Sequence, residues 1–484
     1  MSGTPPIGGN PPVGGQLLWT SDEAIHATGG RSTGSWDATG VSIDSRTIVP
    51  GDLFVALRGP DHDGHEYVSH ALECGAAAAM VSRRPDDVDD DADLLTVDDT
   101  NAALEMLGAH ARNRSTAKVL AITGSVGKTG TKEALKLALS ATAPCCASAS
   151  SLNNHWGVPL SLSRLPQGAG FGVFEIGMNH AGEIRPLTNL VRPHIALVTT
   201  VEATHLEFLG SVEAIADAKA EIFVGLVPDG IAILNRDNEH YGRLAGVARE
   251  CGAEVITFGF SEEADARAEK VALHAECICV AADIRGTRIT YKMHTPGRHW
   301  ARNSLAVLAA VDALGADLGL GALALGDLVP PSGRGRRHRV HGIDGEFTVI
   351  DDSYNASPPS VRAALEVLGG ADLARSGRRI AVLGDMLELG SEADRLHKEL
   401  ASDITSNGVK HVFTCGTHMR HLFDALPAPL QGGHAETSGD LAPLVSRYVG
   451  PGDVVLIKGS FARAMSQVVQ SLLTVETQKR AVNG

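Results

Sequence analysis

A glycine-rich segment of the sequence has the residue types and the spacing of a phosphate-binding loop. It reads GSVGKT and follows a short apolar run, KVLAIT, that is typical of a buried strand. In such a loop the backbone N–H groups hold phosphates, the lysine reaches the β and γ oxygens, and the next hydroxyl binds Mg²⁺. We therefore predict that the phosphates of a nucleotide contact Gly124, Ser125, Gly127, Lys128 and Thr129.

The loop departs from the strict form of this pattern at one position. The strict form has another glycine five residues before Gly127, where this chain has Ile122. A bare match to the shorter form is only moderately specific, and a glycine-rich turn with a solvated lysine is the alternative. The strand before the loop and a helical pattern over residues 132–141 favour the phosphate loop, because they are the context that it needs.

Further along the sequence, one carboxylate is placed to bind a metal ion. Glu175 ends a strand-like run, and the carboxyl ends of strands in an α/β sheet face the crevice in which ligands bind. It is therefore placed to hold a metal near the nucleotide, and the alternative is a local hydrogen bond at the edge of a sheet. His205 and Lys219 follow the next strand. Taken alone, a single histidine is usually structural, and Lys219 would lie on the solvated face of a helix.

Two series of short apolar runs, separated by helical patterns, must position these side chains. This alternation is typical of an α/β fold with mainly parallel sheets. The first series covers residues 118–123, 172–176, 195–200, 231–235 and 254–258, and the second covers residues 347–351, 379–384, 410–415 and 453–458.

Changes in composition divide the chain into three predicted domains. A Pro/Gly/Arg-rich stretch at residues 329–339 has the composition of a linker. We place the domains at residues 1–116, 117–329 and 330–484. Residues 1–15 are rich in Gly and Pro, and we expect them to be a disordered tail.

The bulk composition limits the class of protein. With 484 residues, of which 43% are hydrophobic and 20% charged, the chain can bury several globular cores. It has neither an apolar run of about 18 residues nor the features of a secretory signal, so we expect no membrane span and a cytoplasmic location. Seven scattered cysteines without a CxxC pair fit reduced thiols. The net charge of −15 argues against nucleic-acid binding but is compatible with a small anionic substrate.

Ordered sequence blocks over residues 41–469 carry a resemblance to a known family. The blocks are SIDSRTIVPGDLFVALRGPDHDGHEYV, ITGSVGKTGTKEAL, SLNNHWGVPLSL, EIGMNHAGEI, HLEFLGS, DAKAEIF, ILNRDN, GRHWARNSLAVLAA, DDSYNASPPSVRAAL, LGDMLELG and LIKGSFARAM. Together they resemble the Mur ligases, and within that family the type that joins D-alanyl-D-alanine to UDP-N-acetylmuramoyl-tripeptide in peptidoglycan precursor synthesis. The resemblance implies a small N-terminal α/β domain that binds UDP, a central ATP-binding domain with a parallel sheet and a phosphate loop, a C-terminal Rossmann-like domain, and a monomer.

The resemblance implies roles for residues of the first two domains. Ser45 and Arg46 would hold the UDP part of the substrate, the arginine through its planar fork of donors. The phosphate loop would bind ATP, with Lys128 as a catalytic residue and with Thr129 and Glu175 beside the first Mg²⁺. The second Mg²⁺ would be held by two further catalytic residues, His205 and a carbamylated Lys219.

Other implied roles connect the central and third domains. Asn303 would lie on the adenine side, and Asp352 would contact the ribose. Arg336 would approach the γ-phosphate, although Arg334, Arg337 and Arg339 belong to the same segment. The segments SYNASP and KGS would lie near the incoming dipeptide, with no residue assigned to it.

Two positions depart from the family pattern. Position 130 is glycine where relatives often have serine or threonine, so hydrogen bonding beside the phosphates would be thinner. The KGS segment continues as Phe461-Ala462-Arg463, whereas relatives commonly have an arginine directly after the serine. Arg463 could substitute from a later position.

Three other functions compete with this one. The ligase type that adds the third amino acid of the tripeptide shares the DSR-type first domain, but it has a DNPR segment that this chain lacks. The DSR-type domain also argues against a folyl-polyglutamate or cyanophycin-type ligase. A nucleotide-binding switch without catalysis would be expected to lose metal ligands first, and here Thr129, Glu175, His205 and Lys219 are all retained.

Overall fold

The computed structural model describes residues 15–342 and 345–482. Apart from Gly15, the predicted tail at residues 1–15 lies outside this part of the chain. The described residues form three large sheets and one two-stranded sheet, with helices packed against them, and the prediction of a three-domain α/β fold is confirmed. No helix in the described part of the chain is both long and apolar enough to cross a membrane.

A five-stranded sheet within residues 31–96 forms the first domain, in the order β2-β7-β6-β5-β4. Strand β2 is antiparallel to β7 and the other pairs are parallel. Strands β5 and β6 are buried along their whole length, as expected for parallel strands covered on both faces. The elements are β1 (Trp19–Thr20), α1 (Ser21–Thr28), β2 (Arg31–Ser32), β3 (Asp37–Ala38), β4 (Gly40–Ser42), β5 (Asp52–Val55), α2 (Val68–Glu73), β6 (Ala78–Val81), β7 (Leu94–Thr96) and α3 (Thr100–Arg114).

A nine-stranded sheet within residues 118–293 forms the central domain, in the order β16-β15-β14-β13-β12-β11-β8-β10-β9. Neighbouring strands among β8 to β14 pair in parallel, whereas β14, β15 and β16 form an antiparallel meander. The elements are β8 (Lys118–Thr123), α4 (Lys128–Ser140), β9 (Cys145–Ala147), α5 (Gly157–Ser163), β10 (Phe171–Glu175), α6 (Ile184–Val191), β11 (Ile195–Val198), α7 (Leu206–Leu209), α8 (Val212–Ala220), β12 (Ile231–Asn235), α9 (Tyr241–Glu250), β13 (Glu254–Gly259), β14 (Ala266–Leu273), β15 (Ile278–Ile284), β16 (Thr287–Met293), α10 (Arg298–Ala313) and α11 (Leu318–Ala324).

The connections of the central sheet place its binding crevice at the end of β8. Strands β8 and β11 are neighbours in the sheet. After β8 the chain continues to β9 on one side of this pair, and after β11 it continues to β12 on the other side. Ligands of open α/β sheets bind at such a point, beyond the carboxyl ends of the strands. Helix α4 begins here at Lys128, four residues before the predicted start, and its apolar face packs against α10 with Leu135 and Leu139 in the shared core.

A six-stranded sheet forms the third domain among the described residues 336–342 and 345–458, in the order β17-β18-β22-β19-β20-β21. Strand β17 is antiparallel to β18 and the other pairs are parallel. The elements are β17 (Arg336–His341), β18 (Glu346–Asp352), α12 (Pro358–Gly369), β19 (Arg379–Gly384), α13 (Ala393–Ser406), β20 (His411–Cys415), α14 (Met419–Ala425), β21 (Gln431–Ala435), α15 (Ser438–Tyr448), β22 (Val454–Lys458) and α16 (Ser466–Val482).

The prediction of a linker at residues 329–339 is wrong for its second half, because β17 begins at Arg336. Val340 is the one fully buried residue of this strand, and Arg336, Arg339 and His341 are exposed. Charged side chains are common on edge strands, where they discourage pairing with other chains. The same charges give the segment the composition of a linker.

Candidate nucleotide and metal site

Close contacts fix the glycine-rich loop to the two residues that follow the neighbouring strand β11. Thr199 donates a hydrogen bond from Oγ1 to the carbonyl of Val126 at 2.7 Å, and the amide of Ser125 donates to the carbonyl of Thr200 at 2.9 Å. A Cβ at Gly124 would lie 1.9 Å from Thr199 Oγ1, and the φ of Gly124 is +143°. This position therefore requires glycine, and the loop leads directly into the N-terminus of α4, as phosphate binding needs.

Lys128 is held over the loop. Its Nζ donates to the carbonyl of Gly124 at 2.6 Å. Burial lowers the pKa of Lys128, the carboxylate of Glu175 opposes that shift, and the charge of Arg334 adds to it. A lysine held in this way is positioned to reach phosphate oxygens.

Thr129 and Glu175 meet at the ends of α4 and β10. Thr129 donates from Oγ1 to Glu175 Oε2 at 2.9 Å, and Asn153 donates from Nδ2 to Glu175 Oε1 at 2.8 Å. Glu175 is only 1% exposed. A hydroxyl and a carboxylate side by side are hard oxygen donors, so this pair fits Mg²⁺.

Lys219 is buried on α8, and no opposite charge pairs with it among the described residues. It is 2% exposed, and within the described residues its Nζ has no hydrogen-bond or ion-pair partner. Burial, and then the charge of Lys128, hold the pKa of Lys219 well below its usual range. Both effects favour the neutral amine, which is the form that reacts with carbon dioxide.

His205 lies directly before the short helix α7, in a left-handed conformation with φ of +57°. Its Nδ1 is 2.6 Å from Oε2 of Glu388 in the third domain, and this hydrogen bond lowers the pKa of Glu388. No hydrogen bond joins His205 to Lys219 in the part of the chain that the structure describes.

Helix α10 passes the loop and presents two side chains to it. Asn303 faces Gly127, where an added Cβ would lie 2.9 Å from Asn303 Nδ2. Trp300 faces Gly130, where an added Cβ would lie 2.8 Å from the Cη2 atom of the indole. The glycine at position 130 is therefore explained by the indole, which takes the space of a side chain there.

In the third domain, Asp352 pairs with Lys458. The Nζ of Lys458 donates to Asp352 Oδ2 at 2.6 Å and to the carbonyl of Asn355 at 2.9 Å. Burial raises the pKa of Asp352, and the charge of Lys458 opposes that shift. The last residue of β18 is thereby joined to the last residue of β22, at the carboxyl ends of both strands.

Two arginines of the 334–339 segment, Arg334 and Arg336, have different surroundings in the structure. Arg336 is exposed at the start of β17. Arg334 donates from NH2 to Ser151 Oγ at 2.8 Å, and its guanidinium lies 4.2 Å from the ring centroid of Tyr354. The charge of Arg334 also lowers the pKa of Lys128, so Arg334 lies near the lysine of the phosphate loop.

Ser45 and Arg46 lie in a short 3-10 turn, Ser45–Thr47, of the first domain. Arg46 makes a two-pronged contact with Asp44, at 2.9 and 2.7 Å, and this hydrogen bond lowers the pKa of Asp44. The Arg46 side chain is 57% exposed, whereas Ser45 is buried. The guanidinium is therefore accessible to a ligand, and the two residues lie in a different domain from the phosphate loop.

Four residues of this site had no assigned role in the sequence interpretation. Asn153 and Ser151 belong to the SLNNHWG block and Glu388 belongs to LGDMLELG, so the blocks were visible although their contacts were not. The fourth, Lys132, is fully buried and donates to the carbonyls of Ser148 and Ser150, both at 2.7 Å. It anchors the loop that presents Ser151 and Asn153.

Comparisons with known proteins agree with this geometry. Family models match three consecutive parts of the chain: the Mur ligase family catalytic domain at residues 37–124, the Mur ligase middle domain at 122–311, and the Mur ligase glutamate ligase domain at 335–461. The UDP-N-acetylmuramoyl-tripeptide–D-alanyl-D-alanine ligase of Rickettsia prowazekii is 33% identical over 94% of this chain and 99% of its own length.

Two solved structures have the same fold over nearly the whole chain. Crystal structure I of MurF from Acinetobacter baumannii has a TM-score of 0.80 and 29% identity, and covers 94% of this chain and 98% of its own. MurF from Thermotoga maritima in complex with ADP has a TM-score of 0.73 and 25% identity, and covers 91% and 98%. The family predicted from the sequence blocks is confirmed: this chain belongs to the Mur ligase family.

Proposed function

We propose that the chain is an ATP-dependent, ADP-forming ligase that joins D-alanyl-D-alanine to the terminal carboxylate of UDP-N-acetylmuramoyl-tripeptide. The reaction would serve peptidoglycan precursor synthesis in the cytoplasm. One observation carries the proposal: the phosphate loop, the Thr129–Glu175 oxygen pair and the unpaired buried Lys219 occur together in a chain that covers 99% of the length of a ligase of this family. A ligase that activates a carboxylate with ATP needs these groups, whereas a binding module does not.

In the first step the substrate carboxylate attacks the γ-phosphorus of ATP, which gives an acyl phosphate and ADP. The amine of the dipeptide then attacks the acyl carbon, and the tetrahedral intermediate expels inorganic phosphate. A carboxylate and a phosphate repel each other, so the protein must position them and neutralise their charge. Lys128 and the loop amides would do this on the ATP side.

Four side chains would hold the metal ions. Two Mg²⁺ ions, when bound, would neutralise charge between the carboxylate and the γ-phosphate. Thr129 and Glu175 would hold the first ion. The neutral Lys219 amine would add carbon dioxide and release a proton, and the resulting carbamate would act with His205 as ligands of the second.

The remaining contacts involve all three proposed domains, at residues 1–116, 117–329 and 330–484. Ser45 and Arg46 would hold the UDP group in the first. Asn303 would lie on the adenine side and Asp352 near the ribose. We assign the γ-phosphate contact to Arg334 because its charge acts on Lys128, whereas Arg336 is exposed at the start of β17. The enzyme would act as a monomer, with the third domain excluding water from the acyl phosphate.

Oxygen transfer tests this chemistry. UDP-N-acetylmuramoyl-tripeptide labelled with ¹⁸O in its terminal carboxylate is incubated with ATP, Mg²⁺ and D-alanyl-D-alanine, and the released phosphate is analysed by mass spectrometry. One ¹⁸O per phosphate is expected, because the attacking carboxylate oxygen remains on phosphorus. Unlabelled phosphate would show that water attacks ATP and that no acyl phosphate forms.

A lysine variant tests the carbamate separately. With ¹³C-bicarbonate, the wild-type protein is expected to show a carbamate resonance by NMR that Lys219→Ala lacks, together with loss of ligase turnover. Lys270→Ala removes an exposed lysine of the same domain and is expected to keep both. A wild-type spectrum without the resonance, or an active Lys219→Ala enzyme, would contradict the metal-ligand role.

A further inference from the structure

At one contact between the central and third domains, two non-glycine residues adopt a left-handed conformation. His205 has φ of +57° and Glu388 has φ of +63°. This conformation is uncommon for residues with a side chain and persists where the surroundings enforce it. The two side chains point at each other, with His205 Nδ1 at 2.6 Å from Glu388 Oε2.

These two segments also make contacts that do not involve the Glu388 carboxylate. The amide of Glu207 donates to the carbonyl of Glu388 at 3.1 Å. Leu206 packs against the apolar core of the third domain. A Cβ at Gly390 would be 3.4 Å from the Cα of Glu207, so the backbones themselves are in close contact. The carboxylate itself is directed at the histidine ring, and the backbone and Leu206 supply other contacts between the segments.

We propose that Glu388 is a positioning residue that reaches from the third domain to fix the ring and the tautomer of His205 for metal binding. A carboxylate only accepts hydrogen bonds, so Nδ1 of His205 must be the donor. In the neutral ring, the lone pair then lies on Nε2, which is the atom left to bind a cation. Carboxylates orient metal-binding histidines in this way in many metal sites.

A consequence follows from the location of Glu388 in a different domain from His205. The histidine is oriented only when the third domain is docked, so docking and completion of the metal site occur together. The inference rests on the proposed function, since it assumes that His205 is a ligand of the second metal ion.

Mn²⁺ binding, followed by electron paramagnetic resonance, tests this role without turnover. The full-length protein is titrated with Mn²⁺ in the presence of a non-hydrolysable ATP analogue. Glu388→Ala is expected to weaken one class of site about 10-fold and leave the other unchanged, in line with the loss of a carboxylate behind a histidine ligand. Glu388→Gln keeps an acceptor oxygen and should lie between Glu388→Ala and the wild type.

A matched control removes the same charge from the same loop. The Glu392 side chain contacts Arg395 at the surface, so Glu392→Gln should bind Mn²⁺ like the wild type. The Mg²⁺ concentration for half-maximal phosphate release should follow the same order. Glu388→Gln, which preserves the shape of the side chain, keeps the test valid if Glu388→Ala folds poorly.

Two results would overturn the inference. Unchanged Mn²⁺ binding in both Glu388 variants would show that the carboxylate does not act on the metal ligand. Equal weakening of both classes of site, with a raised KM for every substrate, would show that Glu388 only holds the domains together. If the wild-type enzyme makes the pentapeptide product, either result leaves the proposed function intact. If the wild-type enzyme shows no ligase turnover, the proposed function itself is refuted.

Discussion

Replacing Arg334 and Arg336 in turn separates the two arginines by their role in catalysis. Arg334 donates to Ser151, stacks on Tyr354 and acts on the pKa of Lys128, whereas Arg336 is exposed on β17. If Arg334 contacts the γ-phosphate, Arg334→Ala loses a charge-assisted hydrogen bond in the transition state. Such a bond contributes about 1.5–3 kcal/mol, which corresponds to a roughly 10- to 150-fold fall in kcat.

Two further variants refine this expectation. Arg334→Lys retains the charge but loses the planar fork and the stacking on Tyr354, so its kcat should lie between those of Arg334→Ala and the wild type. Arg336→Ala should stay within about twofold of the wild type, because an exposed charge contributes little.

Steady-state phosphate release, with saturating tripeptide and dipeptide and varied ATP, measures kcat and the KM for ATP separately. Circular dichroism confirms that each variant is folded. A larger loss of kcat in Arg336→Ala than in Arg334→Ala would refute the assignment. An Arg334→Ala enzyme with normal kcat and a raised KM would show that the arginine binds ATP without acting in the transition state.

Three other predictions follow from the same geometry. Gly130→Ala should lower the free energy of unfolding, measured by urea denaturation, by about 1–2 kcal/mol. Crowding against Trp300 costs about 1–3 kcal/mol, and the better helix propensity of alanine returns up to about 1 kcal/mol. If Gly130→Ala were equally destabilising in a Trp300→Leu background, this explanation would be contradicted. Burial lowers the pKa of His299 to about 4, so the unfolded chain binds a proton that the folded chain does not, and the free energy of unfolding falls as pH drops from about 6.5 towards 4. Between pH 7.5 and 5, the wild type should therefore lose about 2 kcal/mol more of this free energy than His299→Asn, and parallel stability profiles would refute the shift. Glu175→Gln removes the negative charge and replaces one acceptor oxygen, which faces Thr129 or Asn153, by an NH₂ donor. The Mg²⁺ concentration for half-maximal turnover should therefore rise about 10-fold or more, and an unchanged Mg²⁺ dependence would exclude Glu175 from the metal site.

The buried strands could be predicted from the sequence because parallel strands covered on both faces are continuous apolar runs. Residues 118–123, 231–235 and 379–384 are strands with the predicted bounds, and the other predicted runs agree to within two residues at either end. The edge strand β17 was missed because three of its residues, Arg336, Arg339 and His341, are exposed. Its apolar signal is limited to Val340.

The local part of the site could also be predicted from the sequence. Lys128 and Thr129 follow from one continuous motif, and Glu175 follows from its place at the end of a strand. The contacts of Asn153 with Glu175 and of Glu388 with His205 join residues 22 and 183 positions apart. No local pattern encodes such contacts, because they are set by loop conformation and by the packing of domains.

Substrate dependence of phosphate release tests the central claim most directly. The enzyme is given ATP, Mg²⁺ and UDP-N-acetylmuramoyl-tripeptide, with and without D-alanyl-D-alanine, and the product is weighed by mass spectrometry. We predict that phosphate release requires both substrates and that a pentapeptide product of matching mass accumulates. Turnover with a free amino acid but not with the dipeptide, or no turnover with either, would contradict the proposed function.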